Sequence, residues 1–282
     1  MSKRTKIWLI TAASLVLVGC IIFGGVMTVL KWDFTKLSTV RYETNDYKIN
    51  EEFKNISIVT RTADVVFVPS ENEVAEVVCQ EQINMKHSVR VQDGTLLVEI
   101  VDMRKWHEHI GINFGTSKIT VYLPQDQYGV LSVKSRTGKI YIEKLNAEAV
   151  NLSVTTGKIQ VSNVNCQGEI GVRVSTGETK LTNIRCKNLT SSGDTGDISL
   201  NNAIAAERFS IERSTGNVKL DGCDAAELLV KTNTGDVKGS LLTEKVFITK
   251  SDTGSVDVPK TVTGGRCEII TDTGDIKITI NN

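Results

Sequence analysis

Leu189-Thr190-Ser191-Ser192-Gly193-Asp194-Thr195-Gly196-Asp197-Ile198-Ser199-Leu200 is the stretch from which the rest of the chain can be read. After the pair Thr195-Gly196, the apolar Ile198 and Leu200 alternate with the polar Asp197 and Ser199, the period of a strand with one buried face. Leu189, seven places before the glycine, belongs to a second short segment, so a Thr-Gly turn joins two short strands. Glycine supplies the turn position that needs φ > 0.

The same phrase recurs in both directions. Thr-Gly recurs in phase eight times, with its glycine at Gly138, Gly157, Gly177, Gly196, Gly216, Gly235, Gly254 and Gly274, each 19 or 20 residues from the next. Two places after the glycine stand Ile140, Ile159, Thr179, Ile198, Val218, Val237, Val256 and Ile276. Four places after it stand Ile142, Val161, Leu181, Leu200, Leu220, Gly239, Val258 and Ile278. Seven places before it stand Leu131, Val150, Ile170, Leu189, Phe209, Leu228, Phe247 and Cys267.

A unit this short cannot bury a core alone, but copies stacked on one another can. The expected fold is therefore all-β: a single-stranded parallel β-helix (β-solenoid) of 19–20-residue coils. Coils should lie about 4.8 Å apart, and right-handed winding is the default for parallel crossovers. Thr116-Ser117-Lys118-Ile119 with Val121, and Thr62-Ala63-Asp64-Val65 with Phe67, read as degenerate copies. Between them, residues 88–100 alternate around Asp93-Gly94, a hairpin signal. The expected division is 1–6 cytoplasmic tail, 7–30 transmembrane anchor, 31–50 juxtamembrane spacer, 51–115 degenerate first coil plus capping hairpin, and 116–282 β-solenoid with eight Thr-Gly turns.

Lys3, Arg4 and Lys6 precede a run without charge at residues 7–30, flanked by Trp8 and Trp32. Twenty-four helical residues reach about 36 Å, enough to cross a hydrocarbon core of about 30 Å. The expectation is one N-terminal transmembrane helix of a single-pass cell-membrane protein with its C-terminal domain extracytoplasmic. Two alternatives stay open. One is a cleaved signal peptide; the other is a lipoprotein signal, because Leu17-Val18-Gly19-Cys20 resembles a lipobox. Lys plus Arg and Asp plus Glu both number 33 among 282 residues, so there is no electrostatic reason to expect nucleic acid as a partner. The membrane and an unknown protein or glycan at the envelope are the expected partners.

The N-terminal anchor, degenerate coil, hairpin, Tyr122-Leu123-Pro124 segment and serial turns of the Thr195-Gly196-Asp197-Ile198 and Thr273-Gly274-Asp275-Ile276 type resemble the bacterial "putative adhesin" domain of unknown function. The resemblance covers about residues 50–282. It implies a bacterial cell-envelope β-solenoid, often associated with envelope-stress systems, with no catalytic residue to carry over.

Several residue sets invite chemistry. Asp-Thr-Gly at Asp194, Asp252 and Asp272 has the form of an aspartic-protease loop, but other coils put Arg136, Thr155, Ser175, Ser214 or Asn233 there, so a polar turn residue is expected. Asp197, Asp236 and Asp275 follow the turn glycine on every second coil, which would hold them about 10 Å apart, too far for one calcium. Trp106-His107-Glu108-His109 could offer two imidazoles to zinc, though a solvent-exposed loop or hairpin edge is expected; His87 is the third histidine. The threonines before the glycines, Thr137 to Thr273, are expected to form a hydroxyl ladder that stabilises the turn. Cys166 and Cys186 should stack on adjacent coils within disulfide range, yet their column also holds Ala147, Ala205 and Ala225. Buried free thiols are expected there and at Cys79, Cys223 and Cys267. No catalytic residue, cofactor or metal ligand is assigned. The expected function is a non-catalytic membrane-anchored envelope scaffold or binding module. The alternative is a polysaccharide-acting β-helix enzyme, which would need a cleft of convergent carboxylates.

Overall fold

The computed structural model describes residues 2–38, 40–106 and 115–281. Two compact units are present and are described separately: one contains the N-terminal helix, the other residues 43–103 and the chain from 116 onward. In the first, helix α1 (Lys3–Val29) starts where the Ser2 hydroxyl accepts the Thr5 N–H. Inside α1 the Thr11 and Ser14 hydroxyls donate to the carbonyls of Ile7 and Ile10, so its polar side chains are satisfied locally. With a mean hydropathy of 2.4, α1 is long and apolar enough to cross a membrane. A helix of this kind is either a membrane span or a signal sequence.

The second unit is almost entirely strand and β-solenoid-like. Strands β8 (Gln127–Ile142), β9 (Leu145–Cys166), β10 (Glu169–Thr195), β11 (Ile198–Thr215) and β12 (Val218–Thr234) run through several corners each and pair in parallel with the next. The register is that of the repeat: Leu181 faces Leu200, and Leu200 faces Leu220. Leu131, Val150, Ile170, Leu189, Phe209 and Leu228 are fully buried, as are Leu181, Leu200 and Leu220. Two kinds of corner bend each coil. One is the Thr-Gly turn, with glycine φ between 124° and 153°. The other, six residues later, is a left-handed position filled by Asn163, Asn183, Asn202 and Gly222. Asparagine tolerates that conformation. The Asn183 amide donates to Asn163 Oδ1 at 2.9 Å and the Asn202 amide to Asn183 Oδ1 at 3.0 Å, which pins successive corners together.

At both ends the spatial order departs from the chain order. β2 (Asn55–Thr60) and β3 (Ala63–Pro69) form the degenerate coil read at Thr62-Ala63-Asp64-Val65, and it lies directly on β8, with Ile56 opposite Leu131 and Val65 opposite Ile140. On its other side lie β6 (Thr95–Asp102) and β7 (Ser117–Leu123), which together make the second degenerate coil. The coil that follows in sequence is thus the outer one. The hairpin expected at Asp93-Gly94 is present: β5 (Met85–Gln92) is antiparallel to β6. β4 (Ala75–Gln82) is antiparallel to β7 and carries β1 (Tyr42–Ile49) on its far side.

The C-terminal end repeats the device. β14 (Lys245–Thr253) and β15 (Val256–Asp257) carry the Gly254 turn, while β16 (Gly265–Thr273) and β17 (Ile276–Ile280) carry the Gly274 turn. Leu228 of β12 pairs with Cys267 of β16, and Val237 of β13 (Val237–Leu241) pairs with Ile276 of β17. β14 and β15 pair with β16 and β17 from the other side. The last coil is therefore inserted between the two before it. This corrects the expectation that the Gly235 and Gly274 coils, which carry Asp236 and Asp275, are two coils apart. Val256, in a column of buried residues, is 45% exposed because no coil is stacked beyond it. Asp236 and Asp275 are also on adjacent coils rather than two apart, since the Asp275 N–H donates to Asp236 Oδ1 at 2.9 Å.

Candidate functional site

Among the described residues, one cluster of potential metal-ligating side chains lies in the N-terminal cap. β4 and β5 are joined by the two-residue turn Ile83-Asn84, with Gln82 opposite Met85. Period-2 alternation turns Val77, Cys79 and Glu81 of β4 inward, together with Met85 and His87 of β5, and all five are buried. The Glu81 carboxylate accepts from the His87 backbone N–H at 2.6 Å, and its Oε2 lies 2.7 Å from His87 Nδ1. Glu81 Oε1 accepts from the Asn45 amide at 2.8 Å, and His87 Nε2 lies 3.0 Å from Thr60 Oγ1. Cys79 Sγ completes the group: donor atoms of Cys79, Glu81 and His87 all lie within 4.8 Å of one another.

Burial pushes the Cys79 thiol up to about 12, and the neighbouring Glu81 and Asp46 add to the shift. A thiol held so high is a poor nucleophile at neutral pH, which argues against cysteine catalysis here. Burial also raises the Tyr47 hydroxyl, with a further contribution from Glu81. What the three side chains can do is bind a metal, or serve as a closed hydrogen-bonded pair beside an apolar-filling thiol. Sequence reading named His87 but gave it no role. The usable signal was the spacing of Cys79, Glu81 and His87 across a chain reversal; Ile83-Asn84 lacks a glycine that would have marked that reversal.

The other sequence candidates are placed as follows. His107, Glu108 and His109 lie outside the described residues. Asp197, Asp236 and Asp275 are ladder residues: Asp197 accepts the Asn217 N–H, Asn217 the Asp236 N–H, Asp236 the Asp275 N–H, and Asp275 the Ser255 N–H, each at 2.8–2.9 Å. Asp64 does the same for the Lys139 N–H at 2.8 Å. Bonds to Lys238 and to a backbone N–H hold the Asp236 carboxyl below its usual range, and bonds to Ser255 do so for Asp275. Asp194, Asp252 and Asp272 are exposed turn residues. The eight threonines are exposed and stack in register, as Thr215 does on Thr234 and Thr234 on Thr273.

A second polar feature is interior. Arg213 is 3% exposed and reaches past Gly193, where a Cβ would lie 2.0 Å from its Nη1. Its guanidinium donates to the Val174 carbonyl at 2.8 Å and lies 3.5 Å from Thr179 Oγ1. Thr179, polar in an otherwise apolar column, thus faces the buried Arg213 guanidinium, and Gly193 leaves room for that side chain. Above them a groove of about 270 Å³ mixes Asp194 and Glu212 with Arg173 and Lys231.

All six cysteines are free, and the five outside α1 are buried; for Cys166 and Cys186 this agrees with the small-residue column they share with Ala147, Ala205 and Ala225. Cys186 is pushed up to about 12 by burial. Native protein treated with a thiol-alkylating reagent should therefore show Cys79, Cys166, Cys186, Cys223 and Cys267 unmodified by mass spectrometry, with all five modified after denaturation. A Cys166–Cys186 disulfide peptide in an unreduced digest would contradict this.

The fold is that of an all-β, β-solenoid-like protein with one N-terminal apolar helix. The profile of the family described as Toastrack DUF4097 matches it twice, over residues 53–170 and 165–282. The chain belongs to that family. Its structure is similar to a "putative adhesin" from Bacteroides fragilis, with 18% identity, TM-score 0.52, and coverage of 86% of this chain and 97% of that one. A "putative lipid binding protein" from Parabacteroides distasonis also matches, with 14% identity, TM-score 0.48, and coverage of 87% and 98%. A "putative adhesin" from Parabacteroides merdae matches with 8% identity, TM-score 0.45, and coverage of 86% and 97%. No curated protein matches the sequence.

Proposed function

We propose that this protein is a non-catalytic, single-pass envelope module: α1 anchors it in the cell membrane, and a single-stranded, right-handed parallel β-helix stands outside as a scaffold or binding surface for a protein or glycan. One observation carries the reading: many of the polar side chains projecting from the coils bond to the neighbouring coil instead of converging on a common centre. Asp and Asn side chains cap the next turn, and charges pair between coils, as Lys158 does with Glu178 and Arg208 with Glu227. The groove with two carboxylates also holds Arg173 and Lys231, which suits surface recognition better than general acid–base hydrolysis. The adhesin names of the structural neighbours agree with a binding role, and a part in envelope stress is a further element of this proposal.

The anchor and its orientation make the first test. Full-length protein should stay with membranes through a high-salt wash, and protease added to intact wall-stripped cells should digest the domain after residue 42. Protection from that protease would overturn the outward orientation. Release by salt would overturn the anchor, and fatty-acid labelling of Cys20 would replace the helix with a lipid. Crosslinking on intact cells followed by capture should recover a partner whose contact is lost when the β-rich domain is deleted.

A further inference from the structure

We propose that Cys79, Glu81 and His87 form a zinc site, binding one Zn²⁺ through the Cys79 thiolate, one Glu81 oxygen and His87 Nδ1. The site is independent of the envelope-module reading and lies away from the groove at Arg173 and Glu212.

Ligand type is the first argument. Thiolate, imidazole and carboxylate are the donors zinc takes in proteins. Spacing is the second. A tetrahedral zinc with bonds of about 2.0–2.3 Å keeps its donor atoms roughly 3.4–3.8 Å apart. Here Nδ1 and Oε2 are 2.7 Å apart and the whole set falls within 4.8 Å, so a shift of about 1 Å or less per side chain would seat the ion.

The surrounding bonds are the third argument. In metal sites the ligand atoms that face away from the ion are held by neighbours. Glu81 Oε1 is held by the Asn45 amide, and His87 Nε2 by Thr60, while Oε2, Nδ1 and Sγ face one another. With zinc on Nδ1, the imidazole proton sits on Nε2 and is donated to Thr60 Oγ1. Charge is the fourth. One thiolate and one carboxylate neutralise Zn²⁺, so the loaded site carries no net charge into a fully buried place, where an uncompensated ion would be costly. Loading displaces the Cys79 thiol proton, released to solvent, and leaves the fourth tetrahedral position to a water. All three ligands fall within nine residues of one hairpin, so the ion can be gathered before the cap closes.

The competing arrangement is a closed Glu81–His87 pair with Cys79 as a small apolar filler. Full-length protein in detergent, stripped with a chelator and dialysed against zinc chloride, should retain one zinc per chain by elemental mass spectrometry. Cobalt(II) in its place should give the intense visible bands of a tetrahedral site and a thiolate charge-transfer band. Cys79→Ala should lose the zinc and that band while its metal-free form melts near the stripped parent. Cys186→Ala and the double variant His107→Asn/His109→Asn should keep both. Zinc should raise the melting temperature of the stripped parent and leave that of Cys79→Ala unchanged. A parent that retains no zinc overturns the proposal, as does a Cys79→Ala protein that binds like the parent or zinc lost with the His107/His109 variant. If Cys79→Ala does not fold, His87→Gln carries the same comparison.

Discussion

Leu200→Asp should remove a large part of the stability of the coil stack, on the order of 3–5 kcal/mol. Leu200 is fully buried, and its in-register neighbours are Leu181 and Leu220, so the new carboxylate would find neither water nor a donor on either side. Domains of this kind are held by only about 5–15 kcal/mol in total, and in a stacked repeat the loss falls on two coil interfaces at once. A denaturation curve of the full-length protein in detergent, followed by circular dichroism, should show the midpoint fall sharply. Ser199→Asp is the contrast. Ser199 is one residue away on the outward side, in register with Lys180 and Lys219, so the same charge should change stability by no more than about 0.5 kcal/mol. If the two variants melt alike, the inward phase of this strand is wrong.

Gly177→Ala should cost at least about 3 kcal/mol, an unusual loss for one methyl group. Two effects add. Gly177 has φ of 133°, a region L side chains avoid, which costs of order 1–3 kcal/mol by itself. The new Cβ would also lie 1.7 Å from the carbonyl oxygen of Gly157 on the next coil, so the two coils would have to separate and weaken the parallel ladder. Gly94→Ala isolates the first effect. Gly94 also has positive φ, 68°, but no atom lies within 4 Å of its would-be Cβ, and a loss of roughly 1–2 kcal/mol is expected. Equal losses at the two positions, read from denaturant midpoints, would show that coil packing does not depend on the glycine column.

That glycine column shows why much of the fold could be read from residues alone. Alternation, turn spacing and small-residue columns are local or strictly periodic, and they located Leu200, the Asp93-Gly94 hairpin and the buried cysteines. The stacked asparagines at 163, 183 and 202 are equally periodic, but asparagine is common at any exposed position, and only their positive φ and mutual bonds mark them as corners. The Cys79–Glu81–His87 group depends on a reversal at Ile83-Asn84 and on Thr60 and Asn45 arriving from other strands, which no local pattern announces.

From its own periodicity, then, the sequence determined the strands, their buried faces, the turn positions, and one apolar helix long enough to cross a membrane. The order in which the coils stack is not legible in that periodicity and emerges from the folded arrangement. Every copy presents nearly the same apolar columns above and below, so the coil of β12 and β13 can accept either later copy by local fit. The outcome is set by how the connections run and how the ends are closed. That is why the Gly274 coil lies inside the Gly254 coil, why Val256 faces solvent, and why β6 and β7 stack outside β2 and β3.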